Sequence, residues 1–218
     1  NSAGQRCSAL RVLAIQDEVY NKTINMLIGA TKKLKVGLPN LLDTDIGPLI
    51  DIKAKNKILK HLDRFKEKIL FNSELDKNLE GFFIQPTLIE LNDLKEIDEE
   101  VFGPILHIVR YSSDKIDNLV EEINNLNYGL TLGIHSRIDS TINFISNNVN
   151  VGNIYINRNI TGAVVGSQPF GGRGLSGTGP KAGGPNYLLN LLNEKTLSND
   201  ITASGGNTSL LMLSDEND

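Results

Sequence analysis

The chain has 218 residues, a formal charge of −4 and a hydrophobic fraction of 39%, which excludes a disordered, collagen-like or rod-like chain and leaves room for a buried core. Acidic residues outnumber basic ones, 26 to 22, so nothing favours the basic surface that non-specific nucleic-acid or membrane binding requires. The single cysteine excludes an internal disulfide and a Cys-clustered metal site and points to a reducing, cytoplasmic compartment.

No apolar run approaches the roughly 20 residues that cross a bilayer. The chain opens Asn1-Ser2-Ala3-Gly4; no signal peptide is expected, and the chain is expected to be a fragment of something longer. Ser8–Ile15 is expected as a buried strand. Asp17 is expected to cap a helix whose apolar face carries Tyr20, Ile24, Leu27, Ile28 and Leu34. Val36–Pro48 is broken by Gly and Pro and is expected as loop. Asp51 opens a second helix, with Ala54, Ile58, Leu62, Phe65 and Ile69 as its apolar stripe. Phe82–Leu91 is extended, with Pro86 arguing for an edge or a bulge. Ile105–Tyr111 is a strand, and Asp114 starts a third helix. Leu130–His135, Ser140–Val149 and Val151–Ile156 follow as strand, helix and strand. This alternation predicts an α/β fold with a mostly parallel sheet flanked by helices. Asn157 to Pro185 is rich in Gly, Ser and Thr and is expected as a long loop, functional or disordered. Asn186–Leu192 is a short helix, Thr208–Leu213 a last strand, and Asp215–Asp218 a frayed acidic tail. Residues 1–194 form the expected main domain and 195–218 a tail or oligomerisation strand.

Candidate chemistry begins at Cys7. A lone cysteine is usually a small buried hydrophobe. Cys7, however, lies between a Gly-containing turn, Ser2-Ala3-Gly4-Gln5, and a strand. A turn there can expose sulfur and leave backbone N–H groups free to stabilise an oxyanion. Arg6 is placed to lower the thiol pKa if its side chain turns that way. Gly172-Arg173-Gly174-Leu175-Ser176-Gly177 fits G-x-G-x-x-G but is rejected as a dinucleotide fingerprint, because Gly179, Pro180 and Gly183 prevent a helix from starting there. His61, His107 and His135 lack ligand spacing, so no metal site is expected. Glu99-Glu100-Val101-Phe102-Gly103-Pro104 is not diagnostic by itself.

In combination these segments resemble the aldehyde dehydrogenase superfamily. The residues that carry the resemblance are Gly4-Gln5-Arg6-Cys7, Glu100-Val101-Phe102-Gly103-Pro104, Asn127-Tyr128-Gly129-Leu130 and Pro169-Phe170-Gly171-Gly172, in family order across essentially the whole chain. A narrower resemblance is to the Δ1-pyrroline-5-carboxylate (glutamate-γ-semialdehyde) dehydrogenases, including the dehydrogenase part of the bacterial bifunctional proline-utilisation enzymes. It rests on Ser8 after Cys7, on Gly162 to Phe170, on Ser176-Gly177-Thr178 with Gly183-Gly184-Pro185, and on Ala203-Ser204-Gly205-Gly206-Asn207.

The resemblance implies an aldehyde dehydrogenase catalytic domain with a C-terminal strand extension. It implies NAD as cofactor, Cys7 as nucleophile, and the Cys7 N–H as half of an oxyanion hole. Glu100 would hold the nicotinamide ribose and Phe102 would pack near the nicotinamide. Ser8 with the Gly162 and Ala163 amides would anchor the carboxylate of a small substrate, glutamate semialdehyde, and Phe170 would pack on its aliphatic part. In the family the NAD-binding domain, the general-base glutamate and the asparagine that completes the oxyanion hole precede this segment. The chain by itself is therefore expected to be inactive and to need that amino-terminal half as partner, in an assembly that is a homo-oligomer. The alternative is a truncated remnant that folds or self-associates without catalysis.

Overall fold

The structure is a computed structural model and describes residues 2–200. Ala203–Asn207, the expected strand Thr208–Leu213 and the acidic tail lie outside the described residues.

The central sheet has the order β1-β4-β3-β2, built from β1 (Val12–Gln16), β2 (Ile69–Asn72), β3 (Thr87–Leu91) and β4 (Ile105–Tyr111). β1 runs parallel to β4 and β4 parallel to β3, whereas β2 is antiparallel to β3. Successive residues of a strand face opposite sides, and both sides of β4 are covered. Leu106 and Ile108 pack with Tyr20, Ile24, Leu27 and Ile28 of helix α1 (Tyr20–Thr31). Ile105 packs with Ile58 of helix α2 (Ile52–Arg64). Val109 packs with Leu119 of helix α3 (Ile116–Asn125). A strand buried on both faces needs the near-continuous apolar run that β4 carries.

Five expectations are corrected in detail. Ser8–Arg11 are not strand, because β1 begins at Val12. Asp17 does not cap α1, which starts at Tyr20 after a 3-10 turn; its carboxylate pairs with Arg110 instead. Leu34 lies beyond the end of α1 and is exposed. The second helix stops at Arg64 and Ile69 opens β2, a strand hidden in the sequence because Ile69 also continues the helical stripe. Pro86 marks neither edge nor bulge: it lies just ahead of β3, which is flanked by β2 and β4, so its missing N–H costs the ladder nothing.

After β4 the chain leaves this sheet. The strands β6 (Thr131–Ile134) and β7 (Asn153–Ile156) pair in parallel across helix α4 (Asp139–Asn148), and the short β5 (Tyr128–Gly129) pairs antiparallel with β8 (Arg173–Gly174). The alternation expected to build one sheet is thus split between separate sheets. The chain divides into two compact units, with the boundary between Gly184 and Pro185. Within the second unit the described residues hold a single 3-10 turn, Leu188–Leu191, where a short helix was expected. Among the described residues no helix is long and apolar enough to cross a membrane.

Helix α2 is tied to β4 by an unusual pair. His61 Nε2 lies 2.8 Å from His107 Nε2, while His107 Nδ1 lies 3.1 Å from the Arg11 carbonyl oxygen. A carbonyl only accepts, so His107 carries its proton on Nδ1, its Nε2 accepts, and His61 donates. Burial, with His107 and Arg64 adding to it, pushes the His61 pKa down to about 4; burial lowers His107 as well. An unfolded histidine takes a proton near its ordinary value of 6.5, so acidification between there and about 4 favours the unfolded chain. The denaturant midpoint should fall across that window, and His61→Leu should remove part of the fall; equal pH slopes for the two proteins would refute the role of the pair.

Candidate active site

Cys7 sits on an exposed turn ahead of β1. The turn is strained. Ser2, Ala3 and Gly4 have φ of 55°, 47° and 70°, the left-handed region that costs a non-glycine residue about 1–2 kcal/mol. Burial of Ala3 (3% exposed) in the cluster formed with Leu49, Ile58, Ile84 and Val101 holds it there. The Gln5 side chain fixes the far side: its Nε2 donates to the carbonyls of Ser2 and Pro48, and its Oε1 accepts from the N–H of Ile50. The Cys7 backbone N–H donates to no protein acceptor among the described residues. Arg6 does not turn toward the thiol; its Nε donates to Ser2 Oγ.

The register of the sheet brings the second segment alongside. β1 pairs with β4 from Val12 opposite His107 onward, and adjacent parallel strands start at the same end of a sheet, so the residues preceding them are neighbours. Gly4 meets Gly103 there. A Cβ on Gly4 would lie 2.1 Å from the Gly103 carbonyl oxygen, and one on Gly103 would lie 2.3 Å from Ile58 Cδ1. Arg11 spans the junction: Nη1 donates to the Gly4 carbonyl at 2.8 Å, Nη2 to the Arg6 carbonyl at 2.8 Å, Nε lies 3.3 Å from Glu100 Oε1, and the guanidinium sits 4.3 Å from the centre of the Phe102 ring. Burial lowers the Arg11 pKa; Glu100 opposes this strongly, and Cys7 adds to the opposition. Cys7, Glu100 and Phe102 therefore form one locality. Glu99 stands apart, in an exposed pair with Lys57.

The Asn127–Leu130 segment joins this locality through Tyr128, whose hydroxyl oxygen accepts from the Glu100 N–H at 3.3 Å. Tyr128–Gly129 pairs in turn with Arg173–Gly174, and Gly129 N–H donates to Ser176 Oγ. Gly172–Gly177 closes on itself: a Cβ on Gly172 would lie 2.5 Å from the Ser176 carbonyl oxygen, and no helix begins there among the described residues. Pro169–Gly171 is held by the buried Asn153, whose Nδ2 donates to the Pro169 carbonyl and whose Oδ1 accepts from the Gly171 N–H and Lys181 Nζ. Phe170 is half-buried, and its backbone pairs with Ala182.

Gly162 and Ala163 lie on an exposed loop. Gly162 has φ +118° and its carbonyl accepts from Tyr155 Oη at 2.7 Å. Neither Gly162 nor Ala163 donates its backbone N–H to a protein acceptor among the described residues. Among the described residues no hydrogen bond joins Ser8 to this loop, so the loop and the Cys7 turn are linked by sequence resemblance and not by a hydrogen bond. Arg11 and Asn153, whose side chains join these segments, were not singled out by the sequence, and Gln5 and Tyr128 stood in quoted motifs without a role. Arg11 had a signal: it is a charged residue inside the apolar run Ser8–Ile15.

Comparison with known proteins gives a family profile, the aldehyde dehydrogenase family, matching residues 1–197. The chain is 54% identical over 200 residues to the bifunctional protein PutA of Escherichia coli K12, covering 88% of this chain and 15% of that one. A crystal structure of a Bradyrhizobium japonicum proline utilization A mutant superposes with a TM-score of 0.82 at 51% identity, over 86% of this chain and 19% of that one. A Thermus 1-pyrroline-5-carboxylate dehydrogenase with bound NAD superposes with a TM-score of 0.78 at 34% identity, over 86% of this chain and 36% of that one. The chain thus spans well under half the length of each.

The Gly4–Gly103 contact makes a direct prediction. Gly4→Ala places a methyl group 2.1 Å from a carbonyl oxygen in a left-handed backbone, so it should lower stability by at least about 1 kcal/mol and displace the Cys7 turn. An unchanged melting temperature with an unchanged Cys7 alkylation rate would contradict the contact.

Proposed function

The chain belongs to the aldehyde dehydrogenase family, and on that premise we propose that it is the catalytic part of an NAD-dependent L-glutamate-γ-semialdehyde (1-pyrroline-5-carboxylate) dehydrogenase that forms glutamate in proline degradation. The observation that carries the reading is an exposed cysteine on a strained turn, its N–H unengaged among the described residues, joined through Arg11 to Glu100 and Phe102. The similarity to 1-pyrroline-5-carboxylate dehydrogenases supports the substrate class.

Cys7 Sγ adds to the aldehyde carbon of the substrate and holds the acyl group as a thioester until water releases glutamate. The Cys7 N–H faces the oxyanion that develops in both halves of this reaction. NAD⁺, when bound, supplies the hydride acceptor. The residues present fit one end of it. The Glu100 carboxylate, with its side chain 29% exposed, can accept from ribose hydroxyls, and Phe102, 42% exposed, offers an apolar ring to the nicotinamide. Gly172–Gly177 opens no helix and so offers no helix N-terminus to the pyrophosphate. A separate nucleotide-binding portion is therefore part of the proposal. Ser8 and the N–H groups of Gly162 and Ala163 bind the substrate α-carboxylate, and Phe170 packs on its methylenes. Hydroxyl and amide donors can hold an anion without burying a full positive charge that would need its own partner.

In the enzyme assembled with its nucleotide-binding portion, Cys7→Ala should abolish turnover of every aldehyde. Ser8→Ala removes one hydrogen bond to a charged group, worth about 1.5–3 kcal/mol. It should raise KM for glutamate semialdehyde by about ten- to a hundredfold and leave a simple aliphatic aldehyde nearly untouched. Equal weakening of both substrates would show that Ser8 shapes the nucleophile and does not read the carboxylate. Calorimetric titration of this chain alone with NAD⁺ should give no micromolar binding.

A further inference from the structure

We propose that Arg11 is the positioning residue of this site: its guanidinium clamps the Cys7 turn to the Glu100–Phe102 segment and fixes a positive charge one peptide away from the nucleophile. The inference rests on reading Cys7 as the nucleophile and Glu100 and Phe102 as cofactor contacts, and it assigns a role that reading leaves empty.

Arg11 grips both sides of the turn. Nη1 holds the carbonyl of Gly4 and Nη2 that of Arg6, and the Arg6 carbonyl belongs to the peptide that leads into Cys7. The same group reaches across to the neighbouring segment, where Nε faces the Glu100 carboxylate and the flat guanidinium stacks on Phe102. Only a planar fork with several donors can make these contacts together; an ammonium on a flexible stem cannot. The clamp is anchored from behind. The Arg11 carbonyl accepts from the backbone N–H of His107 at 3.0 Å and from His107 Nδ1, and His107 is held by His61. Side-chain exposure is 14% for Arg11 and 29% for Glu100, so their charges are screened less than those of a surface pair.

The charged and titratable groups facing the clamp are few. Arg6 lies on the same turn but is drawn to Ser2. Glu100 precedes β4, and His107 on β4 is kept neutral by burial. The Arg11 guanidinium thus holds the carbonyl of the peptide leading into Cys7 and faces the Glu100 carboxylate on its other side; a positive charge there favours a thiolate and a neighbouring carboxylate opposes it. Removing either partner should shift Cys7 in opposite directions. A residue that merely filled space could not do that.

Cys7 is the chain's only thiol, so alkylation by iodoacetamide reports on it alone, with neither cofactor nor aldehyde present. Arg11→Met should slow alkylation at pH 7.5 by about three- to tenfold and move the inflection of the pH profile upward. Glu100→Gln should speed it and move the inflection downward. Arg11→Lys should recover only part of the loss. Inflections that coincide with the parent chain, or that move the same way in Arg11→Met and Glu100→Gln, would overturn the proposal. Should circular dichroism show Arg11→Met unfolded, the Glu100→Gln profile decides alone, and an unmoved inflection overturns it. Opposed shifts in a chain whose assembled enzyme oxidises no semialdehyde would uphold the clamp and remove the dehydrogenase reading.

Discussion

Between Gly4 and the carbonyl of Gly103 there is no room for a single methyl group, and the geometry of the whole site follows from how the chain meets that restriction. The contact joins two turns that are far apart in sequence. It can form only because β1 and β4 are parallel neighbours in register, and because Gly103 in turn presses on Ile58 of α2. The core thus sets the distance between the two turns from below, through Ile58 and the buried Ala3. The strain of three successive left-handed residues is tolerated because burial and the Gln5 bridge over-determine the turn. Cys7 on such a turn is presented with its N–H unengaged among the described residues, at a position the sheet dictates.

The glycine-rich stretch shows the same logic of backbone against backbone. A Cβ on Gly152 would lie 1.9 Å from the Gly171 carbonyl oxygen, and one on Gly129 would lie 2.3 Å from that of Asn150. The long loop is therefore packed as main chain on main chain, with Asn153 and Lys181 satisfying the carbonyls this leaves inside. Buried backbone groups without such partners would be costly. Glycine here serves the close approach of main chain to main chain.

Much of the fold was legible because periodicity is a strong signal where packing is one-sided. The start of helix α2, with Asp51 accepting from the Ala54 N–H at 2.7 Å as its cap, and β4 from Ile105 to Tyr111 lie where their sequence patterns place them. The errors have specific causes. β2 is four residues long and begins with an isoleucine that also satisfies a helical stripe. Asp17 has the right character for a cap, but Arg110 on the neighbouring strand competes for its carboxylate, and such tertiary pairing cannot be read locally. The division into separate sheets was likewise invisible, since β-α-β order specifies neighbours in sequence and not membership of one sheet.

The site was legible only as motifs, and motifs name residues without saying what joins them. General rules for open α/β sheets would direct attention to the carboxyl ends of the strands. At those ends of β1 and β4 lie Asp17 with Arg110, Glu18 with Ser113 and Ser112 with Asp114. The candidate chemistry lies at the opposite, amino-terminal ends, where the Cys7 turn and Glu100–Phe102 lead into the two strands. At that end the strand amides and the buried His107 can hold the Arg11 carbonyl, which frees the Arg11 side chain to point back along the chain toward the turn it came from. A charged residue four positions after Cys7 is thus placed by the sheet to hold the carbonyls of residues before it. No local pattern encodes that reversal; it follows from the pairing of β1 with β4.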